Sequence, residues 1–110
     1  MRESTTAILA RNETWRGNAT TEPYEAGWAS ELVIFVRALH AGSAGGASAQ
    51  VQISADGMRW VDEGTTVKLP EGQDEVQFAR LSHFGNWVRL AATLPDNAEL
   101  RVLVTVHAKA

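Results

Sequence analysis

Leu100-Arg101-Val102-Leu103-Val104-Thr105-Val106-His107-Ala108-Lys109 decides the fold. Leu100, Val102, Val104, Val106 and Ala108 alternate with Arg101, Leu103, Thr105, His107 and Lys109. That period of two is the signature of a half-buried β-strand, whose successive side chains point to opposite faces. One face of this segment is core. An apolar strand face has to be covered by a second layer, and the rest of the chain supplies more strands rather than helices.

Working upstream, Trp87–Thr93 places Val88, Leu90 and Ala92 inward and Arg89, Ala91 and Thr93 outward. It ends before the Pro95-Asp96-Asn97 turn, so it pairs with the C-terminal strand as a hairpin. Residues 49–54 alternate Val51 and Ile53 with Gln50 and Gln52. Asp56-Gly57 then signals a tight turn into residues 58–61, and a second turn at Glu63-Gly64 leads into residues 65–69. Residues 31–39 carry Val33, Ile34, Phe35 and Val36 in series. Such a continuous apolar run belongs to a central strand with both faces covered. Residues 76–81 form a weaker strand.

No capped window shows the i, i+3, i+4, i+7 pattern of an amphipathic helix, and β-branched residues are frequent throughout. The expected fold is all-β: an antiparallel two-sheet β-sandwich or jelly roll of seven to nine short strands. Residues 1–22 read as a polar N-terminal arm lying on this subunit or a neighbour, and residues 23–110 as the single β-sandwich domain. Residues 41–49, with Gly42, Gly45 and Gly46, read as a flexible loop.

Composition excludes several functions. The 110 residues include no Cys, so there is neither a disulfide framework nor thiolate chemistry. Thirteen acidic and ten basic residues, giving a net charge of -3, are scattered without a run of Lys or Arg. Nucleic acid is therefore not an expected partner, since nonspecific affinity rests on clustered cations. The longest apolar run, Leu32 to Val36, is far too short to span a bilayer, so no membrane partner is expected. The first ten residues lack the apolar stretch of a signal peptide. The expected location is the cytoplasm, or a virion if the chain is phage-encoded.

Catalytic and metal chemistry find little support. His40, His83 and His107 lie far apart, in no two-ligand spacing. Asp62-Glu63, Glu71 and Asp74-Glu75 could offer oxygen ligands to calcium, yet they lack the EF-hand spacing and read as solvated turns. No G-x-S-x-G elbow, phosphate-binding glycine loop or cupin-type histidine signature occurs. The expectation is a protein with no enzyme activity and no cofactor.

The best-defined local motif is Ser54-Ala55-Asp56-Gly57-Met58-Arg59-Trp60. Asp56 can accept hydrogen bonds from backbone amides of the turn, Gly57 can adopt positive φ, and Trp60 can fold back over the hairpin. The motif resembles the S-x-D-G-x-x-W hairpin of many bacterial and phage β-sandwich proteins. It is also similar to the Asp box of sialidases with one residue missing before the Gly. The resemblance implies a structural rather than a catalytic role for Ser54, Asp56, Gly57 and Trp60. With the short threonine-bearing strand, Asn86-Trp87-Val88-Arg89-Leu90 and the closing strand, about half of the chain resembles small virion-associated sandwiches of tailed phages. Those are head decoration or tail accessory proteins, and no functional residue of theirs maps onto this sequence.

Four Trp in 110 residues leave Trp15, Tyr24, Trp28 and Trp87 as candidates for an interface or a ligand platform, with the three Phe assigned mostly to core. Outward apolar residues such as Leu103 and Ala91 need cover, and a symmetric partner provides it. The reading is a non-enzymatic structural or adaptor module in a homo-oligomeric, larger assembly. The alternative is a carbohydrate-binding module that stacks sugars on exposed Trp.

Overall fold

The computed structural model describes residues 3–110, and all of their regular structure is β. The strands are β1 (Ser4–Trp15), β2 (Asn18–Thr20), β3 (Tyr24–Glu25), β4 (Glu31–Ala38), β5 (Ser48–Ser54), β6 (Val61–Lys68), β7 (Val76–Ser82), β8 (Trp87–Thr93) and β9 (Leu100–Lys109). They form a four-stranded sheet in the order β1-β9-β4-β7 and a five-stranded sheet in the order β2-β8-β5-β6, with β3 also pairing β8. Every pair is antiparallel. This strand order, with the chain crossing repeatedly between the sheets, is that of a jelly roll. The expected hairpin between Trp87–Thr93 and the C-terminal segment does not form: β8 and β9 lie in opposite sheets, and the Pro95 turn carries the chain across the core.

Alternation then builds the core. In the four-stranded sheet Leu32, Ile34, Val36 and Ala38 stand opposite Ala108, Val106, Val104 and Val102, all buried. In the other sheet Ala49 and Val51 stand opposite Ala92 and Leu90, and these too are buried. Each fully buried Val, Leu or Ile contributes about 1.5–3 kcal/mol relative to exposure, so the fold rests on these two inner faces.

The N-terminal segment departs from expectation. Over its described residues the polar arm is the long edge strand β1, paired along β9, followed by β2 on β8; Met1 and Arg2 lie outside the described residues. Its register shifts between Ile8 and Ala10 and again between Ala10 and Glu13, and Asn12 has φ 53°. Bulges of this kind change which face successive residues take, which erases the period-two signature from the sequence. Leu9, Ala10 and Trp15 reach the core as a result. β6 differs as well: Gly64, with φ 113°, marks an irregularity within one continuous strand rather than a turn between two. The glycine-bearing loop at 41–47 is anchored: Ala44 is fully buried, its amide donates to Glu71 Oε2 at 2.8 Å, and the Ser43 amide donates to the Glu99 carbonyl at 3.0 Å.

Candidate interaction surfaces

The outward face of the four-stranded sheet follows from the same registers. Ile8 stands opposite Thr105, Thr105 opposite Phe35, and Phe35 opposite Phe78, one row across all four strands. The next row runs Thr6, His107, Val33, Arg80, and on the other side Leu103 and Val76 flank Arg37. Ile8, Val76 and Phe78 are 41, 47 and 49 % exposed, and Val33, Phe35 and Leu103 are half-buried. The rings form a cluster: Phe35 and Phe78 centroids lie 6.0 Å apart, His107 meets Phe35 edge-on at 5.2 Å, and the Arg80 guanidinium sits 5.1 Å from the Phe78 centroid. A shallow hollow of about 620 Å³ opens beside Phe35 and His107. Glu31 and Lys109 stand at its margins, and the Arg37–Asp74 pair at 2.7 Å lies on the other side of Phe35. An apolar centre with a polar rim is the anatomy of a protein–protein interface.

The hairpin after β5 is the second built feature. Ser54, buried at the strand end, accepts from the Gly57 amide at 2.9 Å and the Asp56 amide at 3.3 Å, and its hydroxyl donates to Asp56 Oδ1 at 3.0 Å. The same Asp56 oxygen accepts from the amides of Met58 and Arg59, both at 2.9 Å. Those amide bonds, with the Ser54 hydroxyl, hold the Asp56 carboxyl below its ordinary pKa, because each favours the charged form. Gly57 has φ 81°, and a methyl there would stand 3.3 Å from Trp87 Cε2. The aromatic against the turn glycine is thus Trp87 of β8, while the Trp60 ring lies under the Arg89 guanidinium, 4.3 Å from it.

The four aromatic candidates separate. Trp15 is 2 % exposed and belongs to the core, so it is no platform. Its Nε1 has no hydrogen-bond partner among the described residues. Trp28 is 38 % exposed and lies beside the half-buried Tyr24. Burial raises the Tyr24 hydroxyl above its ordinary pKa; Trp28 partly offsets this and the charge of Glu25 adds to it. Glu25 pairs with Trp87, which brings β3 and its aromatic neighbour to the hairpin end of the five-stranded sheet. Of the three Phe, Phe84 alone is buried; Phe35 and Phe78 face outward.

No protein family and no curated protein sequence matches the chain. Its fold is similar to that of the SPBc2 prophage-derived protein YomS, with a TM-score of 0.65 over 100 % of this chain and 96 % of that one, at 9 % identity. At that identity the likeness is one of fold.

The acidic turns are occupied with structural bonds: Glu71 holds the Ala44 amide, Asp74 pairs with Arg37, Asp62 accepts from Gln52, and Glu63 accepts from the Thr65 amide. Among the described residues no group of three or more His, Asp or Glu is placed to hold a metal ion, and no helix is long and apolar enough to cross a membrane. Sequence reading placed Leu103 on the outward face but assigned the three Phe mostly to core, where the structure puts Phe84 alone. The signal for the remainder was the unbroken run from Leu32 to Val36, which a strand covered on one side does not need.

Proposed function

We propose that the chain is a non-enzymatic structural or adaptor module that self-associates through the outward face of its four-stranded sheet, within a phage particle as a head decoration or tail accessory protein. One observation carries the reading. Ile8, Val33, Phe35, Val76, Phe78 and Leu103 make a contiguous apolar surface on four strands whose other face is already core. β4 is apolar on both sides, as strands are when both faces are packed, yet the chain itself covers one. A second copy supplies the missing layer by the same sheet-on-sheet stacking that builds the core. The molecule measures 43 × 29 × 19 Å, so a broad face can contribute the roughly 800 Å² per partner of a standard interface. The fold shared with a prophage-derived protein supports the phage setting.

Sedimentation velocity over a wide concentration range tests self-association. Wild type should reach a dimer or higher species, and Phe78→Lys should remain monomeric with an unchanged circular dichroism spectrum. Wild type that stays monomeric at every concentration overturns the proposal. Mass spectrometry of particles purified from a strain carrying the gene should detect the chain, and its absence removes the phage setting.

A further inference from the structure

The outward face of the five-stranded sheet is built from different chemistry. Gln50 and Gln52 of β5 stand opposite Ala91 and Arg89 of β8 on one side and Thr66 and Asp62 of β6 on the other. Arg89 Nε donates to Gln52 Oε1 at 2.8 Å, and Gln52 Nε2 donates to Asp62 Oδ1 at 3.0 Å, while Trp60 stacks on the guanidinium. At the far end Thr93 Oγ1 donates to Asn18 Oδ1 at 2.8 Å. Ala91, half-buried between them, leaves a hollow of about 530 Å³. That volume lies within the range of small-molecule sites.

Long polar side chains on a solvated sheet face normally sample several rotamers, and fixing them on binding costs conformational entropy. Here Arg89, Gln52 and Asp62 are fixed by one another and by Trp60 before any ligand arrives. Among the described residues, the two terminal nitrogens of Arg89, the second oxygen of Asp62, the Gln50 side-chain amide and the Asn18 side-chain nitrogen bond nothing inside the protein. Donors and acceptors therefore line the hollow together, and its one Arg and one Asp cancel in charge.

We infer that this groove binds an uncharged saccharide. Sugar hydroxyls both donate and accept, and vicinal pairs match the forks of a guanidinium and a carboxylate. Trp60 packs on the Arg89 guanidinium and so fixes the group that would meet the sugar hydroxyls. A phosphate-bearing ligand would need surplus cations, which this lining does not have. The site lies on the sheet opposite the self-association face, so it stands or falls separately.

The test is an array of neutral, sialylated and uronic-acid oligosaccharides probed with the full chain, followed by titration of the strongest neutral oligosaccharide against tryptophan emission. Neutral oligosaccharides should bind, with emission changing on saturation. Ala91→Arg, which fills the floor, and Gln50→Ala should each weaken binding at least tenfold while melting at the wild-type temperature. Phe78→Lys should bind as wild type does. The inference is overturned if no neutral oligosaccharide binds at up to about 10 mM. It is overturned equally if only charged ones bind, or if both folded groove variants bind unchanged.

Discussion

Replacing Gly57 by Ala tests whether the hairpin is locked by its backbone alone or by Trp87 as well. Gly57 sits at φ 81°, where an L-residue with a Cβ pays about 1–2 kcal/mol. The added methyl also stands 3.3 Å from Trp87 Cε2, tighter than ordinary packing, with Cδ2 at an ordinary 3.5 Å, and the ring is held on a β8 strand that cannot retreat freely. Overpacking of that kind adds roughly 1 kcal/mol at the low end of its range, for a sum of about 2–3 kcal/mol. Gly85 is the control, since at φ 76° with nothing within 4 Å of its added methyl, Gly85→Ala should show the backbone cost alone. Urea unfolding followed by far-ultraviolet circular dichroism measures both, and the contact is isolated by repeating Gly57→Ala in a Trp87→Ala background, where its cost should fall to that of Gly85→Ala. If Gly57→Ala costs the same as Gly85→Ala with Trp87 present, the packing of Trp87 on the turn is refuted.

The depressed Asp56 pKa means that its contribution to stability is present above the ordinary carboxylate value of about 4 and is lost as pH falls through the lower folded value. Wild type should therefore lose more melting temperature than Asp56→Asn between pH 6 and about pH 3; equal losses would show that the carboxylate does not hold the turn. Trp15→Phe removes a buried N–H that has no partner among the described residues, relieving a penalty of about 1–3 kcal/mol against the packing the smaller ring gives up. It should cost less than about 1.5 kcal/mol by chemical denaturation, where Trp15→Ala costs about 3–5 kcal/mol; a Phe variant as damaged as the Ala variant would mean the indole N–H is satisfied.

The parts of this fold that were legible in the sequence are those in which the alternation is unbroken. β9 and β8 present Leu100, Val102 and Val104, and Val88, Leu90 and Ala92, at strict spacing, and the structure buries every one. β1 was illegible because its register slips twice along β9, so Leu9 and Ala10 are buried as neighbours and Trp15 arrives on the inner side after a polar stretch. The pairing of β9 with β1 and β4 rather than β8 was equally hidden, because a turn signal such as Pro95-Asp96-Asn97 fixes a change of direction and not which sheet the chain enters.

Surfaces are harder to read than cores, because they are assembled from partners distant in sequence. Gln52, Asp62 and Arg89 each look like an ordinary outward residue, and only the pairing of β5 with both β6 and β8 draws them into one bonded row. The apolar face left a stronger trace. A strand covered on one side has no use for Val33 and Phe35 between Leu32, Ile34 and Val36, since solvated positions are filled at less cost by polar residues. That the neighbouring strands repeat the pattern, with Phe78 and Val76 beyond β4 and Leu103 and Ile8 on the other side, makes the run in β4 one line of a surface and not a local accident. Phe78 sharpens the point, because β7 is an edge strand, where a polar residue facing outward would deter unwanted pairing. The Phe78 ring meets Phe35 and Arg80 on the same outward face, and the self-association proposed above accounts for an apolar cluster being kept there rather than a polar one.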